Sequence, residues 1–179
     1  MKQILTWPCV SVIERIKNLS KWPKQSECFK LFGNPSTPKF ERTHIVRVKT
    51  PYKLWMGEIE ITRIAMNRIC ADSILSILEE IQDFYGNDYA AMEKAGVTDF
   101  GGAWNVRTMR GGSSLSMHAY GLAIDLNADL NPLGKKPGWK KGSFTEDHPV
   151  VKIFRAQGWV WGGPWSRPDG MHFQAAIVG

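Results

Sequence analysis

The chain has 179 residues, 43% of them apolar, which suffices for one domain with a real core and excludes wholesale disorder. Its formal charge of +6 favours polyanionic partners, yet the densest basic cluster, Lys135-Lys136 with Lys140-Lys141, sits in a Gly/Pro-rich stretch and reads as a solvated loop. Three widely spaced cysteines, Cys9, Cys28 and Cys70, exclude a complete disulfide framework and read as reduced, mostly buried thiols.

The first residues, Met1 to Pro8, contain no apolar run leading to a small-residue cleavage site, and no window approaches a transmembrane span. Ser11 and Glu14 form a capping box, and Ile13, Ile16 and Leu19 follow at helical spacing, so a helix is expected to about Ser20. A short helix over Ser26 to Leu31 should stop at Gly33, followed by a loop through Pro38. His44 to Lys49 and Glu58 to Thr62 read as strands. Ile74, Ile77, Leu78 and Ile81 form a helical stripe ended by Gly86. From about Thr98 onward, short apolar runs alternate with Gly-rich turns, which predicts a small sheet. One helix interrupts it, with Asp147 as its cap, Pro149 in its first turn and Gly158 at its end. The whole reads as one α+β domain over 1–179, a helical N-terminal part packed on a small, mainly antiparallel sheet, with its motif-bearing core at about 98–179. Four of the eight tryptophans follow position 138, where they either fill the core or line a groove.

Two of only four histidines fall in compact motifs, Ser116-Met117-His118-Ala119-Tyr120-Gly121-Leu122-Ala123-Ile124-Asp125 and Asp169-Gly170-Met171-His172. Two imidazoles and a carboxylate fill three positions of a tetrahedral zinc and leave one for water, although the same set suits non-heme iron. His118 and Asp125 are seven apart, so a straight strand would put them on opposite faces. They converge only if the chain bends, and Gly121 is placed to allow it, with His118 on a loop or bulge and Asp125 on a buried strand. His148 beside Glu146 and Asp147 reads as a helix-start cap rather than a second ion site, and Asp129 as part of a solvated turn.

The spacing Ser-x-His-x-x-Gly-x-Ala-x-Asp followed by Asp-x-x-His resembles the zinc metallopeptidase family of D-alanyl-D-alanine carboxypeptidases, which also contains the L-alanyl-D-glutamate endopeptidases of phage endolysins. Asn131-Pro132 after the first motif and Trp161-Gly162-Gly163 before the second extend the likeness over roughly Gly101 to Phe173. The resemblance implies a hedgehog/DD-peptidase-like fold, with zinc held by His118, Asp125 and His172. It implies Asp169 as the catalytic carboxylate, where the family often has Glu, and Arg107 as the substrate-binding arginine, with Arg110 as its rival. It places Ser116 behind the ligands.

The function implied is zinc-dependent hydrolysis of peptidoglycan stem peptides, most simply as an endolysin-type L-alanyl-D-glutamate endopeptidase. The alternatives are a D-alanyl-D-alanine carboxypeptidase and a non-catalytic, zinc-containing wall-binding module. Nucleic acid is not an expected partner despite the charge, since no binding motif is present, and no membrane insertion is expected. A monomer is expected, made in the host cytoplasm without a signal peptide and acting on the wall after release.

Overall fold

The computed structural model describes residues 22–179, so the helix expected over Ser11 to Ser20, and Cys9, lie outside the described residues. A 3₁₀ turn, Gln25–Glu27, leads into helix α1 (Cys28–Phe32), which stops at Gly33 as predicted. Helix α2 (Pro38–His44) was not foreseen. Thr37 starts it by accepting from the Phe40 amide at 3.2 Å, with Pro38 in the first position. That pair is a helix-start signal, but α2 buries only Phe40, so no apolar stripe announces it.

Strands β1 (Ile45–Met56) and β2 (Ile59–Asn67) form an antiparallel hairpin, and both run further than their sequence segments promised. Pro51, which has no amide to donate, falls where the register shifts between Lys49 and Leu54. The alternation of buried positions carries straight through it, with Val48 and Thr50 buried before and Tyr52 and Leu54 after. Helix α3 (Ala71–Phe84) follows a 3₁₀ turn, Arg68–Cys70, and buries Ile74, Ile77, Leu78 and Ile81, the predicted stripe, against β1. Helix α4 (Tyr89–Lys94), also unforeseen, is capped by Asp88 and buries Met92 alone.

The second sheet is built from β3 (Phe100–Gly102), β4 (Ala123–Leu126), β5 (Val160–Gly162) and β6 (Asp169–Gln174). Its order is β3-β4-β6-β5, antiparallel at every pairing. Helix α5 (Pro149–Ala156) packs on β5 and α3. Its cap is His148, whose Nδ1 accepts from the Val150 amide at 3.4 Å; Asp147 lies one residue too early and pairs with Lys152 Nζ at 3.1 Å. Burial holds the His148 imidazole below its usual pKa, in the neutral form that can accept. Under the sheet, Phe173 stacks on Phe154 with centroids 4.1 Å apart and lies 5.9 Å from Phe144. The chain is thus one α+β domain with two antiparallel sheets, and its longest strands lie in the N-terminal hairpin rather than in the sheet that carries the motifs.

Candidate metal centre

β4 and β6 pair so that Asp125 stands directly opposite His172, with Ile124 opposite Phe173 and Ala123 opposite Gln174. Directly opposed residues share a face, so the pairing places Asp125, His172 and Gln174 together while Ile124 and Phe173 enter the core. His118 arrives from the 3₁₀ turn Met117–Tyr120, which bends the chain as the parity argument required. Ser116 Oγ accepts from the His118 amide at 3.3 Å to start the turn. Gly121 ends it in a left-handed conformation, φ 68°, and an added Cβ there would lie 2.8 Å from the Asn67 amide nitrogen. The end of β2 holds the turn from outside. The Asn67 amide donates to Gly121 O at 2.8 Å, and Asn67 Nδ2 donates to Tyr120 O at 2.9 Å.

Three donor atoms converge on one point. His118 Nε2 and His172 Nδ1 are each 3.0 Å from Asp125 Oδ1 and 3.1 Å from one another. All three residues are buried. The far ring nitrogens are committed elsewhere: His118 Nδ1 donates to Ala103 O at 2.6 Å, and His172 Nε2 donates to Gln174 Oε1 at 3.0 Å. Gln174 Nε2 donates to Ala176 O at 2.9 Å, which turns its Oε1 toward the histidine and assigns the His172 proton to Nε2. Neutral histidines so held point two lone pairs and a carboxylate oxygen at each other, an arrangement that a cation between them relieves. Burial alone would raise the Asp125 pKa, but its close contacts with the His118 and His172 imidazoles outweigh it and hold the carboxyl well below the usual range. For His172, burial lowers the pKa and the bond and charge of Asp125 outweigh it, so the net shift is upward. Both shifts express a site that attracts positive charge. The donor set, two imidazole nitrogens and one carboxylate, fits zinc.

Asp169 stands at the start of β6, three residues before His172, and a regular strand would turn it to the opposite face. The register shift between Trp161 and Gly162 in the β5–β6 pairing breaks that parity, and Asp169 and His172 line the same cleft, of about 200 Å³. Close approach of the strands at this point depends on glycine, since a Cβ on Gly162 would lie 2.6 Å from Asp169 O. Asp169 Oδ1 is buried and has no hydrogen-bond partner. Burial raises the Asp169 pKa; His172 opposes this, Asp125 adds to it, and His118 and Arg110 oppose it. A buried, unpartnered carboxylate oxygen beside a cation-seeking cluster is placed to handle a proton.

Arg107 is half-buried at the cleft wall, and its Nη1 donates to Thr108 O at 3.3 Å. Arg110 lines the same cleft, as does Arg167, so the structure brings both arginine candidates to the site together. Trp165 packs beside His172 with ring centroids 5.4 Å apart, the one late tryptophan that lines the cleft. Asn131 plays a structural part: its Oδ1 accepts from the Phe144 amide at 2.6 Å and its backbone O accepts from the Met171 amide at 3.2 Å, which ties the 127–134 turns to β6. Sequence reasoning missed Gln174, Arg167 and the Ala103 carbonyl. Gln174 alone left a trace, as a polar residue two positions beyond His172 on the same strand face.

A pair of histidines and a carboxylate converging beside a second, free carboxylate in an open cleft is the arrangement of metal-dependent hydrolases. Residues 110–175 match the family model described as D-alanyl-D-alanine carboxypeptidase, a peptidase family. The matched segment contains His118, Asp125, Asp169 and His172; Arg110 is its first residue and Arg107 lies just before it. No curated protein and no solved structure matches the chain.

Proposed function

We propose that the protein is a zinc-dependent peptidase of peptidoglycan stem peptides, acting as an L-alanyl-D-glutamate endopeptidase of the phage endolysin type. The observation that carries the reading is the buried, unpartnered Oδ1 of Asp169 in the same cleft as the His118, Asp125 and His172 donors, within a segment that matches a peptidase family. A wall-binding module without catalysis has no use for that oxygen. His118 Nε2, His172 Nδ1 and Asp125 Oδ1 would hold zinc, which when bound supplies Lewis acidity toward a water and an amide carbonyl.

Asp169 Oδ1 accepts the proton of the attacking water and returns it to the leaving amine nitrogen. Its raised pKa brings it closer to the amine's need for a proton donor. Arg107 binds a carboxylate of the peptide and sets the scissile bond against Asp169. Ala103 O and Gln174 Oε1 keep both imidazoles in the tautomer whose lone pair faces the cation. Such an enzyme works as a monomer, reaching the wall from the host cytoplasm after release. The description of the matched family favours a second reading, a carboxypeptidase that removes terminal D-alanine.

Digestion of purified peptidoglycan by zinc-loaded protein, with and without chelator, separates these readings by the masses of the fragments. New L-alanine and D-glutamate ends that disappear with chelator support the endopeptidase. Loss of terminal D-alanine alone supports the carboxypeptidase, and intact wall after exposure to zinc-loaded protein returns the binding module to first place.

A further inference from the structure

The cleft carries more positive charge than one substrate carboxylate would use. Arg107, Arg110 and Arg167 all line it, and no ion pair joins any of them to an acidic side chain among the described residues. Asp125 is engaged by His118 and His172, so Asp169 is the one carboxylate of the cleft left to face three guanidinium groups.

The backbone that carries Arg107 and Arg110 is held in place by its own hydrogen bonds. Residues 107–116 form a narrow turn-back: the Ser116 amide donates to Arg107 O at 3.1 Å, Thr108 bridges Leu115, and the Met109 amide donates to Ser114 O at 2.9 Å. Arg167 Nη1 reaches across from the segment before β6 and donates to Arg110 O at 2.7 Å. That contact sets the Arg167 guanidinium against the Arg110 backbone, in the cleft that Asp169 also lines. Arg110's charge is felt at Asp169. Like charges that line one cleft repel, and an anion bound among them reverses the sign of the interaction. Guanidinium groups with unused N–H donors match the planar fork of a carboxylate.

We infer that Arg110 and Arg167 form a second carboxylate subsite beside Arg107, so that the cleft selects peptides presenting two carboxylates rather than one. The inference rests on the peptidase reading and narrows its substrate class to stem peptides whose glutamate α-carboxylate is free rather than amidated. An amidated peptide still offers one carboxylate to Arg107 and leaves the Arg110–Arg167 pair without a counterion.

The test compares N-acetyl-L-alanyl-D-glutamate, with two carboxylates, and N-acetyl-L-alanyl-D-isoglutamine, with one. KM is measured for hydrolysis by the zinc-loaded parent, and affinity is measured by calorimetry on zinc-loaded D169N. The expected preference for the diacid is about ten-fold in both measurements, the scale of one added charge-assisted contact. In R110Q and in R167Q the ratio should fall to near one. Because the ratio is taken within each variant, a general loss of folding or activity cannot imitate that result. A ratio near one in the parent, or one unchanged in both variants, overturns the subsite. If neither peptide is hydrolysed and the calorimetric preference still depends on Arg110 and Arg167, the subsite stands and the peptidase reading falls.

Discussion

Asp169 sits in a conflict that the surrounding residues do not relieve. Its Oδ1 is buried without a partner, and burial raises its pKa above the ordinary value of 3.8. A carboxyl whose folded pKa is raised favours folding in its protonated form, so this contribution is lost as pH rises through the folded pKa, and at neutral pH the charge costs stability. Metal-free D169N is therefore expected to melt no lower than the parent in calorimetry, and to bind zinc as the parent does. Its hydrolysis should fall by about 10²–10⁴-fold, the usual contribution of a positioned proton-transfer group. In the proposed mechanism the parent needs the ionised carboxylate, so the acid limb of kcat/KM should lie above pH 3.8 and be absent from the residual rate of D169N. Gln174 acts one bond further out. It fixes the His172 proton on Nε2, and Q174A should weaken zinc binding by about 10–100-fold in a chelator competition.

At the scale of elements, the turn Met117–Tyr120 presents His118 only because Gly121 closes it. Alanine there meets both a left-handed φ of 68° and the Asn67 nitrogen at 2.8 Å. G121A should cost about 1–3 kcal/mol in urea unfolding, the scale of a strained non-glycine backbone, and should lower zinc affinity with it. The convergence of His118, Asp125 and His172, the α3 stripe and this glycine were legible because each leaves a periodic or spaced mark in the sequence. Helices α2 and α4 were not, since each buries a single apolar side chain and depends on a cap, Thr37 or Asp88, which is easily taken for a loop residue. The extension of β1 past Pro51 was hidden by a residue that usually ends a strand. Asp169 could be named from the family likeness, but its access to the cleft depends on a register shift that no residue type advertises. Arg167 was invisible for a similar reason, since its part is defined by a carbonyl 57 positions away.

Across the whole molecule, stability should carry an alkaline signature. Cys28 is fully buried, and its thiol is pushed up to about 11 from 9.0, by burial first and by Glu27 second. Between those values the unfolded chain gives up a proton that the folded chain keeps, so stability falls as pH rises from 9 toward 11. The loss from this group should approach about 2 kcal/mol, at roughly 1.4 kcal/mol per pKa unit, and C28A should flatten the corresponding part of the denaturation profile. The folding unit is also larger than the motif-bearing segment. Ala65 O accepts from the Trp104 amide at 3.2 Å, and Asn67 holds both Tyr120 O and Gly121 O. A fragment of residues 98–179 should therefore show poor amide dispersion by NMR and no stoichiometric zinc binding, although it contains His118, Asp125 and His172.

Part of the support that the β1–β2 hairpin lends to the site comes from main-chain groups: the Ala65 carbonyl holds the Trp104 amide, and the Asn67 amide holds Gly121 O at the end of the His118 turn. Nearly any residue brings a carbonyl, and any but proline brings an amide. Substitution can therefore replace most hairpin side chains while the histidine stays in place, provided that strand spacing and inward apolar volume persist. The matched segment, 110–175, leaves the hairpin out. Descent along such a lineage would be recorded in the shape of the N-terminal half long after its letters had been overwritten, and Asn67, whose side chain also contributes, is the hairpin position where drift should be slowest.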